Sequence, residues 1–255
     1  MSIVIGMNLG TQMIMASDAR VTYEGNNSRT TRKSDEVFKL FALTPSILIG
    51  FATNNLEEVQ RILTQGDLNP AAFQNQTNSQ LFSLFQEHIK QIQSPSGFLW
   101  GNAQEGELYY YEVDNCKIVN SMKLGTGEVK VFGHTGIPEI DNGLECIINT
   151  TYRNLRTRND IDEIAIVTLI IEEYTKFYRN RMDTDTEPYS SSFLVSARSD
   201  NGIWIAYDTS NANIRVGHLI ELTEIEYDSE AGYGRFKVSQ NGFIIWLRSI
   251  MEWDC

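Results

Sequence analysis

Cysteine is scarce in this chain: Cys116, Cys146 and Cys255 are the only three in 255 residues, an odd set without metal-type spacing. That excludes a disulfide-stapled scaffold and leads us to expect reduced thiols in a cytoplasmic protein. Histidine is equally scarce. His88, His134 and His218 stand isolated, so each reads as structural or solvated and no metal site is expected. No run of eighteen apolar residues exists, and no basic start leads into a long apolar segment, so neither a membrane span nor a signal peptide is expected. The Asn-x-Ser/Thr matches at Asn26, Asn75 and Asn149 then carry no meaning, because glycosylation requires secretion. Positive charge is short as well: 21 Lys and Arg face 33 Asp and Glu, a net charge of −12. A nucleic-acid binder needs a positive footprint, and this composition argues against one. No Gly-x-Ser-x-Gly elbow backs a Ser-His-Asp triad. Repeats, low-complexity tracts and a clear linker are also missing.

What remains is a globular composition, 42% hydrophobic and 21% charged, in a chain long enough to bury a sizeable core. Its first twenty residues read as two short apolar strands, Ser2–Asn8 and Thr11–Ser17, turning at Leu9-Gly10 and closing on Asp18-Ala19-Arg20. Val21–Ser34 is polar, with Gly25, Asn26, Asn27 and a basic knot of Arg29, Arg32 and Lys33, and reads as a loop with a solvated face. Strands Val37–Leu43 and Ser46–Ala52 follow. Lys39 lies inside the first; simple alternation sends it to solvent, and the other reading is burial for a purpose.

A helix capped by Asn54 or Asn55 runs to Gln65, and a second from about Ser79 to Gln93. Strands are expected at Phe98–Gly101, Glu107–Asp114 and about Lys117–Lys123, then a turn at Gly125-Thr126-Gly127. A third helix covers roughly Ile140–Arg156 and a fourth runs from Asp160 to about Arg181, apolar almost all round in its middle. The polar loop Asp183–Tyr189 leads to strands Ser191–Ala197, Gly202–Tyr207, Ile214–Leu222, Gly234–Val238 and Phe243–Ile250. Paired helices between groups of hairpins exclude plain βαβ alternation. They point to an α+β fold, a four-layer α-β-β-α sandwich. We read residues 1–255 as a single domain, with 208–255 as its β-rich extension.

That order, with Ser2 leading it, resembles the proteasome β-subunit family of N-terminal-nucleophile hydrolases over about Ser2–Tyr207. The residues carrying the resemblance are Ser2-Ile-Val-Ile-Gly6, Ala16-Ser-Asp18-Ala-Arg20, Lys39-Leu-Phe-Ala-Leu, Ile49-Gly50-Phe-Ala52, Gly125-Thr126-Gly127 and Glu187-Pro-Tyr-Ser190. The chain departs from the family pattern in several places. The stretch from Arg20 to Lys39 is longer than the family's, which keeps Lys33 as an alternative to Lys39. Thr126 stands for Ser and Glu187 for Asp, and the strands after Asp208 have no counterpart. No propeptide precedes Ser2, so activation would rest on removal of Met1.

The resemblance implies an amidohydrolase that cleaves peptide bonds through an acyl-enzyme on Ser2. The chemistry shows why these residue types are needed. A free α-amine of pKa about 7.7–8.0 serves as the serine's own base, through a bridging water. Lys39 as a cation favours the alkoxide, and Asp18 keeps that cation charged and oriented. The Gly50 N–H is the expected oxyanion donor. Thr126, Glu187 and Ser190 orient the amine, and Arg20 completes the set. Lys39→Ala is then expected to abolish turnover with the fold intact.

No cofactor is implied. The expected substrate is a peptide or unfolded protein. The expected assembly is a homo-oligomer, ring or dimer, with a regulatory ATPase left open. Two rival readings stand beside this one: a non-catalytic assembly subunit, and a small-molecule amidase of the acylase type.

Overall fold

The computed structural model describes residues 3–10, 13–18, 21–24, 31–34, 39–44, 47–64, 76–133, 138–156, 173, 176, 193–199, 202–208, 220–222, 224–228, 233–240 and 243–248. Its first strands are β1 (Ile3–Asn8), β2 (Met13–Asp18), β3 (Val21–Glu24), β4 (Thr31–Ser34), β5 (Leu40–Thr44) and β6 (Ile47–Thr53). Helices α1 (Leu56–Thr64) and α2 (Asn78–Ile89) follow. Next come β7 (Ser96–Asn102), β8 (Glu107–Asp114), β9 (Lys117–Leu124) and β10 (Val129–Gly133), then α3 (Pro138–Arg156). The described chain ends in β11 (Phe193–Ser199), β12 (Gly202–Asp208), β13 (Ile220–Leu222), β14 (Glu224–Asp228), β15 (Tyr233–Gln240) and β16 (Phe243–Arg248). Helices alternate with wholly antiparallel sheets, which makes the fold α+β. One sheet has the order β10-β1-β2-β11-β12-β13, a second β5-β6-β7-β8-β9, and β14-β15-β16 and β3-β4 stand as smaller sheets. Among the described residues no helix is long and apolar enough to cross a membrane.

Every residue of β1 and β2 is buried, so the two strands are covered on both faces. A strand in that position reads as an unbroken apolar run rather than an alternation. On one face Val4, Met13 and Met15 join Leu40, Leu48, Leu99, Leu108 and Phe132 in a core between the two large sheets. The sheets approach closely: a Cβ on Gly6 would lie 2.6 Å from Leu99 Cδ1. On the far side of the five-stranded sheet, Phe51, Phe98 and Trp100 pack against Val59 and Ile62 of α1 and Leu81 and Phe85 of α2.

Local signals set the helix ends. Asn55 Oδ1 accepts the Glu58 N–H at 3.1 Å. Thr77 and Gln80 form a reciprocal capping box at the start of α2. Glu58 then ties the two helices together, its carboxylate accepting the N–H groups of Gln93 at 2.9 Å and Ser94 at 3.0 Å. Helix α3 runs along β10 and buries Leu144, Ile148 and Tyr152 at i, i+4 and i+8. Its Glu145 carboxylate accepts the Val131 N–H at 3.0 Å and pairs with Lys130 at 3.2 Å.

Two expectations are corrected. Val21–Ser34 is not a loop, because its ends pair as the hairpin β3–β4, with Val21 opposite Ser34 and Tyr23 opposite Arg32. The strand formers Val21, Thr22, Tyr23 and Thr31 outweigh the charges there. The second is β10, a strand where the sequence reading expected only a turn leading to a helix. Of the fourth helix, only Glu173 and Lys176 are described; they pair at 2.7 Å. The rest of Asp160–Arg181 and the loop Asp183–Tyr189 lie outside the described residues. Beyond Asp208, β13 extends the six-stranded sheet while β14–β16 form a sheet of their own.

Candidate active site

Register brings three chain segments to one point. Val4 pairs with Ser17, which sets Ile3, the first residue of β1, opposite Asp18, the last of β2. There Asp18 Oδ1 accepts the Ile3 N–H at 2.9 Å. Lys39, immediately before β5, donates its Nζ to the same Oδ1 at 2.7 Å and to the Asp18 carbonyl at 3.1 Å. The Lys39 carbonyl in turn accepts the Phe51 N–H at 3.0 Å, anchoring the lysine backbone to β6. Asp18 is 0% and Lys39 2% exposed. The solvent reading of Lys39 is therefore corrected: this lysine is buried and ion-paired. Two charges without access to water are a costly arrangement that packing alone does not call for.

Gly50 sits in mid-strand, paired with Leu40 on β5 and Leu99 on β7. A Cβ there would meet Leu40 Cδ2 at 2.9 Å and Val4 Cγ1 at 3.3 Å, so close sheet packing accounts for a small residue here without any catalytic role. Successive N–H groups of a strand point to opposite edges. Since Phe51 donates toward β5, the Gly50 N–H points toward β7 and its ladder. The expected oxyanion donor is thus turned into the sheet.

Thr126 is exposed in the turn between β9 and β10, beside Gly10. The neighbouring Gly127 donates its N–H to the Asn8 carbonyl at 2.7 Å. That is the opposite end of β1 from Ile3, about 17 Å away at a rise of ~3.4 Å per residue. The assignment of Thr126 is corrected for a clear reason. With β10 in place, the glycine opposite Ile3 is Gly133, and the segment it leads into, 134–137, lies outside the described residues. The alternation of Val129 and Val131 around Lys130, followed by Phe132, was the signal for that strand.

Ser2, Arg20, Glu187 and Ser190 also lie outside the described residues. Lys33 is on β4, opposite Thr22, whereas Lys39 holds the Asp18 carboxylate. On the residue before Asp18 in β2, Ser17 buries a hydroxyl with no hydrogen-bond partner among the described residues. The sequence reading did not single it out. No group of three or more metal-type ligands occurs among the described residues.

No protein-family model matches the chain, and no curated protein matches it. Among solved structures it is similar to eukaryotic HslV from Trypanosoma brucei, with a TM-score of 0.45 at 15% identity, covering 76% of this chain and 98% of that one. A likeness that loose carries no weight for the chemistry, which is argued from the site itself.

Proposed function

We propose that the chain is a proteasome-like N-terminal-nucleophile hydrolase that cleaves peptide bonds through an acyl-enzyme on Ser2, once Met1 is removed. The observation carrying this reading is the buried Lys39–Asp18 pair, joined through Asp18 Oδ1 to the N–H of Ile3, the residue that follows Ser2. A lysine cation beside an N-terminal serine lowers the cost of its alkoxide. In the first step the Ser2 hydroxyl passes its proton to the α-amine as Oγ bonds to the substrate carbonyl carbon. The C–N bond then breaks, the leaving amine takes that proton, and water splits the ester.

In this reading the sheets and helices complete a four-layer α-β-β-α sandwich, a single domain with 208–255 as its extension. The domain assembles as a cytoplasmic ring or dimer. Removal of Met1 and turnover of fluorogenic peptides by wild type but not Ser2→Ala are expected. An intact mass that retains Met1 overturns Ser2 catalysis, since the amine is then acylated.

A second reading, a non-catalytic assembly subunit, draws on the direction of the Gly50 N–H and the distance of Thr126 from Asp18. Full processing without hydrolysis of either peptides or N-acyl amino acids would favour it.

A further inference from the structure

Two of the three large hydrophobic residues exposed among the described residues, Val119 at 57% and Met122 at 40%, lie on β9. That strand is the last of the five-stranded sheet and pairs with β8 on one side. From Asn120 to Lys123 every residue is exposed, so this border of the sheet meets solvent. Among the margins whose burial is described it is the open one. On β10 the Glu145 carboxylate takes the Val131 N–H, and β5 starts on the buried Leu40.

Register tells which main-chain groups that border presents. In an antiparallel sheet the N–H and C=O of one residue point to the same edge, and those of the next residue to the other. The Phe51 N–H reaches Lys39 on the β5 side, and the Asn54 N–H reaches Pro95 on the β7 side. On β6, odd residues therefore bond toward β5 and even residues toward β7. The pairs Gly50–Leu99, Phe98–Tyr111 and Tyr110–Met122 carry this alternation across the sheet. Asn120, Met122 and Leu124 thus bond to β8, while Ser121 and Lys123 turn their N–H and C=O groups outward.

Two outward residues flanking one inward residue make a self-complementary unit. Laid antiparallel against a second copy, Ser121 exchanges both bonds with that copy's Lys123, and Lys123 with its Ser121. Met122 then faces its own counterpart at the two-fold axis, in the kind of pair whose Cα atoms lie only about 4.5 Å apart. Lysines guard many sheet edges, but Lys123 is held by the Glu107 carboxylate of β8 and lies over the Tyr109 ring. In this register it stands opposite a serine. Lys117 lies beyond the bulge at Val119, outside the matched stretch. That stretch, 120–124, is short against the roughly 20–30 residues a side of a standard interface, so the contact is weak and reversible.

We propose that the β9 border is a self-association surface that takes a second copy of this chain about a two-fold axis at Met122. It narrows the ring-or-dimer assembly of the proposed function to a dimer and rests on no step of the hydrolysis. Sedimentation velocity from micromolar to near-millimolar concentration tests it. Wild type should shift from a 29.0 kDa monomer toward twice that mass. Ser121→Pro removes an outward N–H, a place where an edge strand accepts proline, and leaves the bonds to β8 intact. Met122→Lys sets like charges face to face at the axis. Ile147→Lys, on an equally exposed residue of α3, is the control.

Ser121→Pro removes two hydrogen bonds per dimer, commonly about fivefold apiece, so the dissociation constant should rise at least about tenfold. Met122→Lys should raise it comparably, and Ile147→Lys should leave it at the wild-type value. Should Ser121→Pro fail to fold by circular dichroism, Met122→Lys decides. A wild type that stays monomeric throughout, a larger oligomer that neither β9 variant weakens, or an equal loss with Ile147→Lys overturns the proposal. A dimer dispersed by the β9 variants in a chain that hydrolyses no peptide keeps this surface and removes only the hydrolase reading. Hydrolysis by a chain that is monomeric throughout does the reverse.

Discussion

The buried ion pair allows a prediction in which fold and chemistry come apart. At 2.7 Å and an effective dielectric of about 20, Lys39 and Asp18 attract by roughly 6 kcal/mol. Desolvation costs several kcal/mol for each ion, so the net contribution is close to zero. Removing one partner is another matter, because the survivor stays buried and loses the 2.7 Å ion pair. Asp18→Asn and Lys39→Met are each expected to cost about 3–5 kcal/mol, a large part of the ~5–15 kcal/mol that holds a domain together. In D18N/K39M both charges are gone, and the Asn carbonyl still accepts the Ile3 N–H. The double variant should fall within ~1 kcal/mol of wild type. That is a coupling of several kcal/mol, far above the ~0.3–0.5 kcal/mol scatter of independent sites. Urea unfolding followed by tryptophan fluorescence reads all four corners of the cycle. Single costs below ~1 kcal/mol, or costs that simply add, would refute the reasoning. The cycle also alters the expectation for Lys39→Ala, in which lost turnover and lost stability would be confounded. D18N/K39M is the cleaner variant, expected to be folded and inactive.

Three further outcomes follow from the packing and the hydrogen bonds. Ser17→Ala should raise stability by about 1 kcal/mol in the same assay, since it removes a buried hydroxyl without a partner among the described residues; a loss would reveal a bond to that hydroxyl. Gly97→Ala puts a methyl group 2.5 Å from Phe132 Cδ2 and should cost ~1–3 kcal/mol, measured by the shift in thermal midpoint. For Glu58, burial pushes the carboxyl up, but hydrogen bonds from Ser94 and Gln93, together with Arg61, outweigh it and hold the group below its ordinary 4.5. A depressed folded value means that its contribution is complete above the unfolded pKa and is lost as pH falls through the folded one. An acid titration of stability should show that loss in wild type, and Glu58→Gln should flatten it.

Much of the frame could be read from residue pattern. The unbroken apolar runs of β1 and β2 announce strands covered on both faces, and the Leu81, Phe85, Ile89 stripe announces α2. Asp18 and Lys39 were legible only as members of an ordered set, because nothing local marks Lys39 as buried rather than solvated. The β3–β4 hairpin was hidden by its charges. Strand β10 was hidden by brevity: five residues with Lys130 in their midst, between a glycine turn and a helix. The direction of the Gly50 N–H belongs to register, and a slip of one residue reverses it. No property of the glycine itself reports that.

The contact between Glu145 and Val131 has a consequence for how this molecule meets others. Strand β10 forms one margin of its sheet, and a bare margin invites a passing chain to dock and propagate. The helix lays a carboxylate over the outward N–H of Val131, so a strand arriving there finds that donor already bonded. One edge donor of β10 is thereby withdrawn from pairing with another chain. Glu145→Ala frees that N–H and is expected to raise concentration-dependent association, read by light scattering; no change against wild type would refute it.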